Sequence, residues 1–207
     1  REGPAGRVKT TREVLPQHHR DIRAHMLFTN PLKCNTVMMR ADVLRQAGLR
    51  FRSEFGNALD YDLWSQVSDH LELHNLPRVL GEYRVHATQT SRGEELEKIN
   101  RSALQVQKDL VARSLGILMS ETETLVHQRL TLRPRDLVSG REVMATAEWL
   151  RTVRLANTAT GAFDAQSLDD VLAQQWLSAL AGAARSGLAS GSVARLGWEG
   201  GQHIGLR

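Results

Sequence analysis

A single cysteine, Cys34, stands in a chain of 207 residues. That excludes an internal disulfide and suits a reducing compartment; Cys34 itself reads as a small, half-buried core residue rather than a nucleophile. Tyrosine occurs twice and aromatics make up 5% of the chain, too few for the stacking platforms of single-strand nucleic-acid binders. Excess charge of one sign is small as well, with 27 basic against 23 acidic residues. The net charge is +4 and the pI about 9.7, which fits an anionic ligand or an acidic membrane face and gives no reason to invoke nucleic acid. No apolar run reaches the roughly 20 residues of a membrane helix, and no signal-peptide pattern opens the chain. The first residue is Arg1, not Met, so the chain reads as a piece of a longer one. What is present is an ordinary globular composition, 41% apolar and 24% charged, with length enough for one or two domains.

The first 24 residues are basic and punctuated by glycine and proline, leading into a short helix near Pro16–Met26. His18 and His19 are adjacent, so they point to different sides of a helix and read as solvated surface rather than a metal pair. Asn30-Pro31 breaks that helix. Thr36–Met39 is a short apolar run suited to a buried strand, and Ala41–Ala47 a short helix closed by Gly48. Asp60–Leu71 is apolar-periodic, with Tyr61, Leu63, Trp64, Val67 and Leu71 as its apolar positions. Leu73–Leu76 and Val79–Val85 read as strands. His70 and His74 have the i,i+4 spacing of a zinc pair, with no third ligand nearby.

From Ser91 the texture is helical only. Ser91–Glu94, Ser120–Glu123 and Ser139–Glu142 all have capping-box spacing. Leu96, Ile99, Ala103, Val106 and Leu110 make one helix face; Val143, Ala147, Leu150 and Val153 another; Val171, Leu172, Trp176, Ala179, Leu180 and Ala183 a third. Trp149 and Trp176 read as core anchors between helices. The glycine-rich tail from Ala189 reads as loose. The expected division is residues 1–92 against a helical region, 93–207.

Two stretches carry candidate chemistry. Leu59-Asp60-Tyr61-Asp62-Leu63-Trp64 places two acids at a helix start, where the exposed amides and helix dipole favour negative charge. Leu80-Gly81-Glu82-Tyr83-Arg84-Val85-His86 alternates like a strand and ends on an imidazole. Asp60 alone reads equally as a helix cap, since Asp is a favoured capping residue. His86 alone reads as a polar residue at a strand end.

In this order, together with Asn30-Pro31, Thr36–Arg40 and Asn75–Leu80, these motifs resemble the C-terminal half of a family 2, GT-A fold, inverting glycosyltransferase. The resemblance covers roughly Pro31 to Ser91. It implies an α/β, Rossmann-like fold followed by an all-helical region. It also implies transfer of a sugar from a nucleotide-sugar donor to a glycan or lipid-linked acceptor, as in bacterial polysaccharide biosynthesis. Asp60 would be the general base, and Asp62, Trp64, Arg84, Thr36 and Arg40 would contact substrate. His86 would ligate a divalent cation, Mg or Mn. Asp60 and His86 should then lie within roughly 12 Å of each other, in one pocket. A cytoplasmic location with peripheral contact at the inner membrane is implied as well. Two departures stand out. The family has Glu-Asp where this chain has Leu59-Asp60, and its N-terminal half, with an Asp-x-Asp motif, has no counterpart here. The chain therefore reads as the acceptor side of an enzyme, inactive alone. The competing readings are a non-catalytic helical interaction module and, more weakly, a metal hydrolase built on His70 and His74.

Overall fold

The structure, a computed structural model, describes residues 13–82, 93–132 and 139–206. Eight α-helices follow one another among them: α1 (His19–His25), α2 (Ala41–Gln46), α3 (Leu59–Val67), α4 (Gly93–Leu115), α5 (Glu121–Leu132), α6 (Gly140–Thr160), α7 (Ala165–Arg185) and α8 (Ser190–Ile204). Two 3₁₀ turns, Cys34–Thr36 and Ser53–Ala58, precede α2 and α3. None of these helices is long and apolar enough to cross a membrane.

The expected α/β, Rossmann-like fold is overturned: the described residues are helical and contain no strand. Extended backbone becomes a sheet only when its N–H and C=O groups meet a ladder partner. Val37–Arg40 is extended but follows a 3₁₀ turn, with Met38 97% exposed. In Leu73–Leu76 the Leu73 N–H goes to His19 Nδ1, and the Asn75 N–H goes to the Gln17 carbonyl. Those are single bridges, not a ladder. Leu76, Val79 and Leu80 are exposed. The end of the expected strand, Tyr83–His86, lies outside the described residues, as does the expected capping box at Ser91.

The chain forms two compact units, Arg1–Ile22 with Asn30–Val106, and Arg23–Thr29 with Gln107–Arg207. The division falls inside α4, between Val106 and Gln107. In the first unit, α3 is the buried element. Its Tyr61, Leu63, Trp64 and Val67 are almost fully covered, and the Ser53–Ala58 turn packs on it. The expected helix stops early, at Val67, and His70 and His74 fall in the turn and extended segment beyond it. The short helix before Gly48 is present, with Gly48 at φ 68°.

The second unit is a helical bundle. α6 packs on α5, α7 and α8, and α7 on α8. Val143, Ala147, Leu150 and Val153 of α6 and Leu168, Val171, Leu172, Ala179 and Ala183 of α7 form its core. The Ser139–Glu142 box forms in both directions, and Ser120 and Glu123 exchange the same bonds ahead of α5. Asn157 closes the α6–α7 connection, donating to the Phe163 carbonyl at 3.0 Å and accepting from the Phe163 N–H at 2.8 Å. Segment Arg23–Thr29 joins this unit through Gln107 Nε2, which donates to the Phe28 carbonyl at 3.0 Å. The tail is not loose: residues 190–204 form α8, with Leu196, Gly200 and Ile204 buried.

Candidate active site

The Ser53–Ala58 turn delivers the chain to α3 through Gly56, whose φ of 50° and ψ of −121° break the helical path. An L side chain at φ 50° would be strained, so glycine suits that corner. Leu59 then opens α3 and places Asp60 and Asp62 in its first turn. There the free N–H groups of the helix stabilise negative charge.

The two acids have different surroundings. Asp60 is half-buried. Its Oδ1 accepts from the Tyr61 N–H at 2.8 Å and its Oδ2 from Asn30 Nδ2 at 3.2 Å. One donor on each oxygen leaves acceptor capacity on both, since a carboxylate offers about four lone-pair sites. Asp62 is 1% exposed. Arg52 grips it with a two-pronged ion pair, Nε to Oδ2 at 2.8 Å and Nη2 to Oδ1, and Gln66 Nε2 adds a third bond to Oδ2 at 2.9 Å. The Arg52 guanidinium also lies over the Phe55 ring, 4.6 Å from its centre. Asp62 thus ties α3 to the turn before it, while Asp60 keeps oxygens to offer.

Trp64 is buried at 2% exposure, with the Phe51 ring edge-on at 6.3 Å. Its indole N–H has no partner among the described residues. Cys34 is exposed rather than half-buried in a core. Partial desolvation and the negative charge of nearby Asp60 both raise its thiol pKa, which makes it a poorer nucleophile. Thr36 is exposed and donates its hydroxyl to the Lys33 carbonyl at 2.9 Å; Arg40 is exposed and pairs with Asp42 at 2.8 Å. Arg84 and His86 lie outside the described residues, and the expected proximity of Asp60 and His86 lies outside them too. Among the described residues no three His, Cys, Asp or Glu side chains gather to hold a metal ion. His74 pairs with Glu72 at 3.6 Å.

Sequence reasoning missed Arg52, Gln66 and Asn30 as partners of the two acids. Asn30 carried a signal, because Asn-Pro marks a turn in which the Asn side chain bonds the backbone ahead. In the sequence, Asn30-Pro31 reads as a helix end and as part of the family resemblance, without a pairing of Asn30 to Asp60.

Comparison with known proteins adds one relationship. Over 101 residues, 49% of this chain, the sequence is 40% identical to a Haemophilus influenzae protein named an uncharacterized glycosyltransferase. The chain spans under a third of that relative's length, 31%. No family model matches the chain, and no solved structure matches it. The chain is therefore related in sequence to a protein named as a glycosyltransferase.

Proposed function

We propose that this chain is part of a family 2 glycosyltransferase that transfers sugar with inversion, and that Asp60 is its general base. The observation that carries the reading is the Asp60 carboxylate, oriented by two donors and left with free lone pairs. The sequence relationship to a protein named a glycosyltransferase supports it. In the proposed step the acceptor hydroxyl attacks the anomeric carbon of a nucleotide-sugar. Its proton passes to an Asp60 oxygen, the new C–O bond forms on the face opposite the leaving group, and the bond to the nucleoside diphosphate breaks. A carboxylate suits this role because it must take the proton only as the hydroxyl oxygen becomes bonded. The acceptor would be a glycan or a lipid-linked sugar.

The divalent cation that the resemblance implies has no fitting donor set among the described residues. Thr36, Arg40 and Arg84 are proposed to contact substrate, His86 to ligate the cation, and the buried Asp62 and Trp64 to support the site from within. Of these, Asp62 is already committed to Arg52 and Gln66, so it acts by holding α3 in place.

The test is Asp60→Asn in the protein that carries this chain. The amide keeps the shape and loses the base. Turnover should fall roughly 10²–10⁴-fold, with nucleotide affinity by calorimetry unchanged. Near wild-type turnover would reduce Asp60 to a helix-end residue and overturn its assignment as the base.

A further inference from the structure

We infer that Asn30 is a positioning residue for Asp60, and that Asn75 braces it through Pro31. The inference rests on the reading of Asp60 as the base. Asn30 uses both ends of its amide. Its Oδ1 accepts from the Leu32 N–H at 3.1 Å, closing a turn over Pro31, and its Nδ2 donates to Asp60 Oδ2 at 3.2 Å. The first bond settles the second: with the carbonyl end committed to Leu32, the donor end faces the carboxylate. Pro31 fixes its own φ and has no N–H to divert the turn. Pro31 and Leu32 are both buried.

The turn is anchored in its own right. Asn75 Nδ2 donates to the Pro31 carbonyl at 3.0 Å and to the Pro16 carbonyl at 2.7 Å, and the Asn75 N–H donates to the Gln17 carbonyl at 3.1 Å. Both hydrogens of one amide are used, and the side chain of Asn75 ties the Pro16 and Pro31 stretches together. A free carboxylate can swing about two torsions. With the Tyr61 N–H on one oxygen and Asn30 on the other, Asp60 is held in one orientation, which a general base needs before substrate arrives.

The experiment compares Asn30→Ala, Asn30→Asp, Asn75→Ala and Asp60→Asn, and the Asn30→Ala/Asp60→Asn pair, in the protein that carries this chain. Asn30→Asp is the informative change. It keeps an acceptor for the Leu32 N–H, so the turn persists, but sets an oxygen against Asp60 where a donor stood. We expect kcat for Asn30→Ala and Asn30→Asp to fall roughly 10–100-fold with KM little changed. The pH–rate profile of Asn30→Asp should move to higher pH, because a like charge beside a carboxylate opposes its ionisation. Asn75→Ala should show a smaller fall in kcat. The double variant should be no slower than Asp60→Asn alone, as for residues acting as a unit. In ¹⁵N spectra the Asn30 side-chain amide should shift on Asp60→Asn, a readout independent of turnover and available even where an Asn30 variant fails to fold. If Asp60→Asn abolishes turnover while Asn30→Asp keeps it at unchanged melting temperature, the positioning role is wrong. An Asn30 amide indifferent to Asp60→Asn overturns it too. If Asp60→Asn retains turnover while the amide shifts, the base reading has failed and the contact is structural only.

Discussion

His127 illustrates how burial alone changes the behaviour of one side chain. It is completely buried in the second unit, stacked on Phe28 at 5.0 Å and edge-on to Trp149 at 5.7 Å. The Trp149 indole N–H donates to its Nδ1 at 3.1 Å, so the ring proton sits on Nε2. Burial lowers its pKa to about 4, with the Leu27 backbone opposing the shift. Protonation would have to occur at Nδ1 and would break the Trp149 bond. The unfolded chain binds this proton near pH 6.5, so between there and about pH 4 it binds more protons than the folded chain. Stability from this group is therefore fully present above pH 6.5 and is lost as pH falls through that window, by up to about 3 kcal/mol. His127→Gln keeps an acceptor for Trp149 but cannot charge. Urea unfolding of the two proteins from pH 7 to 4.5 should show the parent weakening more steeply. Parallel curves would mean that His127 already carries its proton when folded, or never gains one when unfolded. Nothing in the sequence around His127 announces this, because its burial depends on what the Leu27–Phe28 segment and α6 bring to it.

At the scale of the element, α8 shows where glycine counting misleads. Residues 189–201 hold several glycines, which in isolation weaken a helix by up to about 1 kcal/mol each. Here the missing side chains let the helix approach its neighbours. A Cβ at Gly200 would overlap the Trp176 ring and come within 3.3 Å of Ala147, and one at Gly197 would sit 3.2 Å from Leu180. The Trp176 N–H also reaches the Gly197 carbonyl at 3.4 Å. Packing against α6 and α7 thus outweighs propensity, which acts only as a weak prior. Opposite outcomes follow for two glycines of one helix. Gly200→Ala should lower stability by about 1–3 kcal/mol through overpacking, read as a fall in melting temperature. Gly191 is exposed, with nothing within 4 Å of a new Cβ, so Gly191→Ala should raise stability by roughly 0.5–1 kcal/mol. If both substitutions stabilise, α8 does not pack closely on Trp176. The same contrast explains the elements that sequence did reveal. Ser139–Glu142 and the α6 and α7 stripes are local signals, complete within one turn or one face.

Across the whole molecule, legibility follows the range of the interactions. The helical second unit was readable because its signals repeat every three or four residues. The first unit misled because period-2 alternation describes a residue's faces and not its partner, and a strand is a relationship between two segments. Thr36–Met39 and Val79–Val85 have strand-like composition, yet no ladder receives them among the described residues. The candidate site lies between these cases. Asp60 was legible from its place at a helix start, while Asn30, Arg52 and Asn75 reach the two acids or their supporting turn across 10 to 44 residues of sequence. Amide hydrogen exchange distinguishes a helical fold from a concealed sheet. Met38, Met39, Val79 and Leu80 are exposed and lie outside every helix, so their amides should exchange close to the rate of an open chain. Amides in the middle of α6 and α7, around Leu150 and Leu172, are helix-bonded and fully buried. They should exchange only through large-scale opening, slower by several orders of magnitude. Protection at Val79 and Leu80 comparable to that at Leu150 would mean that these residues are paired in a ladder after all, and the helical assignment of the first unit would fall with it.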